Sequence, residues 1–128
     1  MTDRGERGYW ARRERYAAPD ATSARAFAVP KARAIAEALA LTGRETVLDV
    51  GAGTGHLGEA FRARGHRVVA LDASWNMLRK NPAPVLCLAD AARLPFPYGA
   101  FDVAVEANLL HHLPDAVAAL REMARVSR

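Results

Sequence analysis

A glycine-rich segment at 51–55 constrains the fold of this 128-residue chain more than any other feature. It follows Thr46–Val50, an apolar and β-branched segment that predicts a strand. It precedes apolar residues at helical spacing over 57–63, which predict a helix that Gly65 ends. Glycine lets a ligand approach the backbone closely, and the free N–H groups at the start of the following helix point towards that ligand. This strand, loop and helix unit is typical of ligand binding.

Three more short apolar segments predict further strands, at 67–71, 85–89 and 101–105. Their alternation with helices predicts an α/β fold with a Rossmann-like, doubly wound parallel sheet and right-handed crossovers. One domain is expected, because a single core occupies about 100 to 150 residues. We assign 1–29 to an N-terminal arm or lid helix and 30–128 to the domain.

The helices between these strands are predicted from caps and apolar spacing. Pro30 predicts a helix start, and Gly43 is placed as the left-handed residue that ends this helix. Ser74 can cap a short helix, and Pro114 with Asp115 opens the last one. The last helix is expected to bury an apolar stripe of Val117, Leu120, Met123 and Ala124.

Composition narrows the class of protein. Residues 1–15 are too charged for a secretory signal, and no apolar run approaches the roughly 18 residues of a membrane span, so we predict a cytoplasmic protein without membrane contact. The net charge of +4 comes from scattered arginines and does not predict nucleic-acid binding. The lone Cys87 excludes an internal disulfide, and no metal site is predicted. The aromatic residues of the arm either form a lid or pack it onto the core: Tyr9, Trp10 and Tyr16.

Acidic residues follow three successive predicted strands: Asp72, Asp90 and Glu106. Ligands bind at the carboxyl edge of parallel sheets, so we expect these carboxylates to share one mouth with Asp49. Residues 53–58 also match a dinucleotide fingerprint, with Asp72 about 20 residues from its start. That interpretation would indicate a nicotinamide-dependent oxidoreductase.

Two observations disfavour a dinucleotide at this mouth. The first glycine of the fingerprint ends its strand directly, whereas Gly53 lies two positions beyond the predicted strand end at Gly51. Clustered carboxylates would repel a pyrophosphate, but they suit a ligand that carries a sulfonium and an ammonium group. The electrostatics favour S-adenosylmethionine.

Four motifs occur in a fixed order along the chain: VLDVGAGTG at 47–55, VALDAS at 69–74, LADA at 88–91 followed by LPF at 94–96, and FDV at 101–103 continuing to LHHLP at 110–114. In order and spacing they resemble the motifs of class I methyltransferases, especially the type 11 group related to ubiquinone and menaquinone biosynthesis enzymes. The resemblance covers residues 40–128. It implies S-adenosyl-L-methionine as the cofactor and a small molecule as the methyl acceptor.

The resemblance also implies a role for individual residues. The methionine part would be held by Asp49 and by the backbone of Gly51, Ala52, Gly53 and Gly55. The ribose hydroxyls would bind Asp72, next to Ala73, and the adenine would meet Asp90, the Ala91 N–H group and Met77. Glu106 and Ala107 would line the cleft near the sulfonium.

A general base is needed only when the acceptor is protonated. His111 and His112 are the candidates, and the alternative is that one packs under the last helix while the other meets solvent. No catalytic residue is assigned.

Family members continue beyond a segment like 124–128 with a glycine turn, a fifth strand and a final antiparallel pair, giving seven strands. We therefore expect only strands 1–4 here, with the fourth as an open edge that favours self-association. Three functions stay open: a methyltransferase, a non-catalytic cofactor-binding or partner module, and the disfavoured oxidoreductase.

Overall fold

Residues 21–107 and 109–128 are described by the computed structural model, and Tyr9, Trp10 and Tyr16 lie outside this part of the chain. Four strands form one parallel sheet in the order β3-β2-β1-β4. Their bounds are Thr46–Val50 for β1, Arg67–Asp72 for β2, Val85–Leu88 for β3 and Val103–Glu106 for β4. The predicted α/β class with a parallel sheet is confirmed.

The fourth strand begins two residues later than predicted. Phe101 instead forms an isolated parallel bridge with Ser127. Its N–H group donates to the carbonyl of Val126 at 2.9 Å, and its carbonyl accepts from the Arg128 N–H group at 3.0 Å. The chain thus returns alongside the start of β4, and β4 is an edge of the described sheet, as expected.

Helices connect the strands: α1 at Ala21–Ala38, α2 at His56–Ala63, α3 at Trp75–Leu78, a 3-10 turn at Leu110–His112 and α4 at Ala116–Val126. Two predicted caps are confirmed. The Ser74 hydroxyl accepts from the Met77 N–H group at 3.3 Å, and the Asp115 carboxylate accepts from the Ala118 N–H group at 3.0 Å. Each side chain satisfies an N–H group that has no partner within its helix.

The prediction that the first helix begins at Pro30 is wrong, since Pro30 lies inside α1. Proline removes one backbone donor from a helix, but packing overrides that preference here. Ala28, Ala32 and Ala36 recur every fourth residue and are 5%, 0% and 3% exposed. This stripe of small side chains lies in the core, so α1 crosses the predicted boundary between arm and domain.

Gly43 does not end this helix, which corrects a second prediction. Ala40 takes the left-handed position with φ 51°, and the Leu41 N–H group donates to the Ala36 carbonyl at 2.9 Å. Gly43 serves a different contact. A Cβ on Gly43 would lie 2.8 Å from the Arg64 carbonyl oxygen, so the turns before β1 and β2 can touch only because this residue lacks one.

The core fills both faces of the sheet. Val47 faces α1 and α2 and packs with the fully buried Phe61, whereas Leu48 and Val50 face the opposite layer with Phe101. This alternation follows from the period of two residues along a strand. Because both faces of the sheet are packed, the strand ends from which the loops of the carboxyl edge begin are held in place.

The last helix packs by a different stripe from the predicted one. Met123 is buried as expected, together with Ala119 and Val126, which are both 0% exposed. The other three predicted members of the stripe are exposed: Val117, Leu120 and Ala124. Both stripes have helical spacing, but Ala119, Met123 and Val126 are the ones that join the core cluster with Leu48 and Phe101.

Candidate functional site

The carboxyl ends of the strands place the predicted mouth at one edge of the sheet. Val50 is in register with Leu71 on one side and with Glu106 on the other. The 51–55 loop therefore leaves β1 between the ends of β2 and β4. Asp72 and Glu106, which were predicted to share this edge, are the last residues of those two strands.

The glycine loop has a conformation and a closeness of contact that require glycine. Gly55, at the N-cap of α2, has φ 94°, and a Cβ there would lie 2.6 Å from Asn81 Oδ1. A Cβ on Gly51 would lie 2.7 Å from Leu109 Cδ2. Gly53 has more room, with Met77 Cε 3.5 Å from the position of its missing Cβ. The structure thus brings the predicted adenine neighbour Met77 to the loop.

Asp72 is organised by the same loop. Its Oδ2 accepts from the Gly53 N–H group at 2.8 Å, and its Oδ1 accepts from the Ser74 N–H group at 2.8 Å. These two contacts fix the orientation of the carboxylate relative to the glycine loop. The side chain is only 5% exposed, which makes each further bond more valuable than it would be in water.

Asp49 lies beneath the loop rather than at the surface of the mouth. It is 2% exposed, and its Oδ2 has no hydrogen-bond partner among the described residues. Desolvation raises the pKa of Asp49 to about 7, with a further rise from the charge of Asp72 and a smaller one from Glu106. The Gly58 N–H group opposes this rise. A cation bound next to Asp49 would therefore stabilise the ionised form of this carboxyl group.

Glu106 and Asp90 each shape a turn at this edge. Glu106 Oε2 accepts from the Leu109 N–H group at 2.9 Å, and Asp90 Oδ1 accepts from the Ala92 N–H group at 2.8 Å. Ala91 is 5% exposed, and Ala73 and Ala107 are partly buried. These bonds are typical of turn residues, and they hold the two carboxylates at or just beyond the carboxyl ends of β4 and β3.

Asn81 contacts the glycine loop of the candidate site, which the sequence did not reveal. Its Nδ2 donates to the Gly53 carbonyl at 3.1 Å, and its Oδ1 accepts from the Ala83 N–H group at 2.9 Å. Gly53 is therefore held at its N–H group by Asp72 and at its carbonyl by Asn81. The bond to Ala83 is a local turn that the Asn-Pro sequence could have indicated. The contact with Gly53, 28 residues away, has no local signal.

The two candidate bases lie on the 3-10 turn after β4. The backbone N–H group of His112 donates to the Leu109 carbonyl at 2.9 Å, and its side chain is partly buried. The side chain of His111 lies outside the described part of the structure. A base at either position stays a prediction.

The residues at this edge fit a cationic nucleoside better than a dinucleotide. The Gly53 N–H group already donates to Asp72, so it is committed to a carboxylate and not to a phosphate. The orphaned oxygen of Asp49 and the charges of Asp72 and Glu106 produce a negative field, which favours a sulfonium and opposes a pyrophosphate. The fold and this mouth define a Rossmann-like protein of the class I methyltransferase type.

The chain belongs to the Methyltransferase domain family, which matches residues 48–128. It is 39% identical over 100 residues to a demethylmenaquinone methyltransferase of Beutenbergia cavernae, covering 75% of this chain and 42% of that protein. It is 36% identical over 88 residues to a malonyl-[acyl-carrier protein] O-methyltransferase of Serratia marcescens, covering 66% and 34%. The predicted family is thereby confirmed.

A SAM-dependent methyltransferase from Aquifex aeolicus has the same fold, with a TM-score of 0.65 and 21% identity over 87% of this chain and 69% of that one. The chain spans 42% and 34% of the lengths of the two curated relatives above. Within the described residues, no helix is both long and apolar enough to cross a membrane.

Proposed function

We propose that this chain is the cofactor-binding part of an S-adenosylmethionine-dependent methyltransferase that acts on a small molecule. The observation that carries the proposal is the pair of bonds that aligns the Asp72 carboxylate with the glycine loop, at 2.8 Å to Gly53 and 2.8 Å to Ser74. A carboxylate fixed in this way is suited to accept both hydroxyls of a ribose. The buried Asp49 beside it supports a cationic ligand.

The chain's residues would then hold the cofactor in a definite order. Asp72 accepts from the ribose, and the backbone of Gly51, Ala52, Gly53 and Gly55 borders the methionine part over Asp49. Met77, Ala73, Asp90 and Ala91 surround the adenine, while Glu106 and Ala107 line the cleft towards the acceptor. Met77 lies in α3 and Asp49 near the end of β1, and the other residues lie in the glycine loop, at the end of a strand or within three residues beyond one.

Orientation of the cofactor and the acceptor relative to each other supplies much of the rate of the proposed methyl transfer. The bound cofactor supplies a methyl group on a sulfonium, and the leaving thioether is neutral and needs no proton. A rigid loop held by Asp72 and Asn81 fixes one reactant, and orientation of the second converts the encounter into an effectively unimolecular step. His111 or His112 acts as a base where the acceptor carries a proton.

The acceptor is proposed only by class. The two relatives are named for a quinone and for a carrier-bound acid, so a ring carbon or a carboxyl oxygen is the first choice to test. We also propose a cytoplasmic location, no nucleic-acid partner and self-association through the edge at β4. A cofactor-binding module without turnover is the second candidate.

Formation of S-adenosylhomocysteine tests the proposed reaction. The chain is incubated with S-adenosylmethionine and either a demethylated quinol or a free malonyl thioester, and the product is measured by mass spectrometry. Product that depends on an acceptor and is lost in Asp72→Ala supports the methyltransferase. Cofactor binding without product from any acceptor would favour the non-catalytic module instead.

A further inference from the structure

The segment between β3 and β4 carries two of the proposed adenine residues, Asp90 and Ala91. Residues 89–102 contain no helix and no named strand. Backbone groups that are buried outside regular structure still need hydrogen-bond partners. Leu94 is 5% exposed, so both its N–H group and its carbonyl need a partner from elsewhere in the fold.

Two side chains of α4 provide these partners. Glu122 Oε1 accepts from the Leu94 N–H group at 2.9 Å. Arg125 donates through Nη2 to the Leu94 carbonyl at 3.0 Å and through Nη1 to the Phe96 carbonyl at 2.8 Å. Three backbone groups of the segment are thus held by one turn of a helix that lies behind it.

Glu122 and Arg125 also hold each other in place. Arg125 Nε lies 2.6 Å from Glu122 Oε2, and Nη2 lies 3.1 Å from Oε1. This two-point geometry orients the guanidinium plane so that its remaining N–H groups face the segment. The hydrogen bond from Arg125 lowers the pKa of Glu122, so the pair stays charged near neutral pH.

The other end of the segment leads to the proposed ligand contacts. The Arg93 N–H group donates to the Asp90 carbonyl at 3.0 Å, and the Ala92 N–H group donates to the Asp90 carboxylate at 2.8 Å. The Ala89 N–H group donates to the Asp72 carbonyl at 3.1 Å. The Asp90 turn is therefore set between the end of β2 on one side and Leu94 on the other.

We propose that Glu122 and Arg125 are positioning residues for base recognition, because they fix the backbone that aims Asp90 and Ala91 at the purine. Neither residue reaches the ligand. The inference rests on the proposed function, since it requires that the mouth binds an adenine nucleoside.

The test compares two ligands that differ at the purine amino group. Affinities are measured by calorimetry for S-adenosylhomocysteine and for its hypoxanthine analogue, in which a carbonyl replaces that amino group. The wild-type chain should prefer the adenine ligand by about tenfold or more, the effect of a lost and unpaired hydrogen bond. In Arg125→Ala the preference should fall to about twofold or less, while circular dichroism shows a folded chain.

Arg121→Ala is the matched control, because Arg121 is exposed on the same helix. It should keep the wild-type preference. Arg125→Lys keeps the positive charge but loses the fork that reaches two carbonyls, so it replaces Arg125→Ala if that variant does not fold. A folded Arg125 variant with the full wild-type preference would overturn the inference.

Failure of the proposed function gives a different result. In that case the wild-type chain binds neither ligand, and the inference falls with it. If the wild-type chain binds both ligands equally, the site binds the cofactor but Asp90 does not recognise the purine amino group. This result would overturn the inference and leave the proposed function standing.

Discussion

Replacement of Asp49 by asparagine tests how burial shapes this site. Asp49 is 2% exposed, and its pKa is raised from an ordinary 3.8 to about 7, first by desolvation and then by the charges of Asp72 and Glu106. Between these two pH values the folded chain binds more protons at Asp49 than the unfolded chain does. The free energy of unfolding of the wild-type chain should therefore fall as pH rises through this window.

The magnitude follows from the two pKa values. Ionisation of Asp49 in the folded chain lowers the free energy of unfolding, and this penalty is about 4 kcal/mol for a pKa raised from 3.8 to about 7, at about 1.4 kcal/mol for each pKa unit. This penalty is absent below about pH 4 and complete above about pH 7. Asparagine does not ionise, so Asp49→Asn should remove the penalty and be more stable than the wild-type chain at pH 8, by up to about 4 kcal/mol.

Urea unfolding followed by circular dichroism at pH 4 and pH 8 measures this difference. Asp102→Asn serves as a control outside this window, because hydrogen bonds from Thr46 lower the pKa of Asp102, so the stabilisation from its carboxylate is lost only as pH falls below about 4. The Asp102→Asn variant should therefore lose as much free energy of unfolding between pH 4 and pH 8 as the wild-type chain does. The reasoning would be refuted if Asp49→Asn and the wild-type chain lost the same free energy of unfolding between pH 4 and pH 8.

Three substitutions test the loop and the core by urea unfolding. Gly55→Ala should lower the free energy of unfolding by more than about 1 kcal/mol, because φ is 94° and the new Cβ would lie 2.6 Å from Asn81 Oδ1. Adding Asn81→Ala should restore part of this loss, and strictly additive effects would contradict the proposed contact. Phe61→Ala should lower the free energy by about 3 to 5 kcal/mol because Phe61 is 0% exposed, and a loss below about 1 kcal/mol would contradict its place in the core.

The elements that the sequence predicted well are those whose signal is local. β1 has the predicted bounds because β-branched residues end directly at a glycine loop. The caps at Ser74 and Asp115 were predictable, since each bonds an N–H group three residues ahead. Asp72 and Glu106 were placed correctly because strand ends meet at one edge of a parallel sheet.

The elements that the sequence predicted poorly depend on packing between distant residues. Pro30 indicated a helix start, but α1 continues on both sides of Pro30, where burial of Ala28, Ala32 and Ala36 stabilises it. In α4 two stripes have equal periodicity, and only contact with the sheet decides that Ala119 faces inward. Asn81 and Arg125 bond backbone groups 28 to 31 residues away, which no local pattern indicates.

Calorimetric titration of the chain with S-adenosylmethionine tests the central claim most directly. We expect specific binding, which Asp72→Ala weakens by at least about 100-fold through the loss of two hydrogen bonds to a charged acceptor. NAD, titrated in parallel, should not bind. A folded chain that binds NAD but not S-adenosylmethionine, or that binds S-adenosylmethionine equally well with Asp72→Ala, would contradict the account.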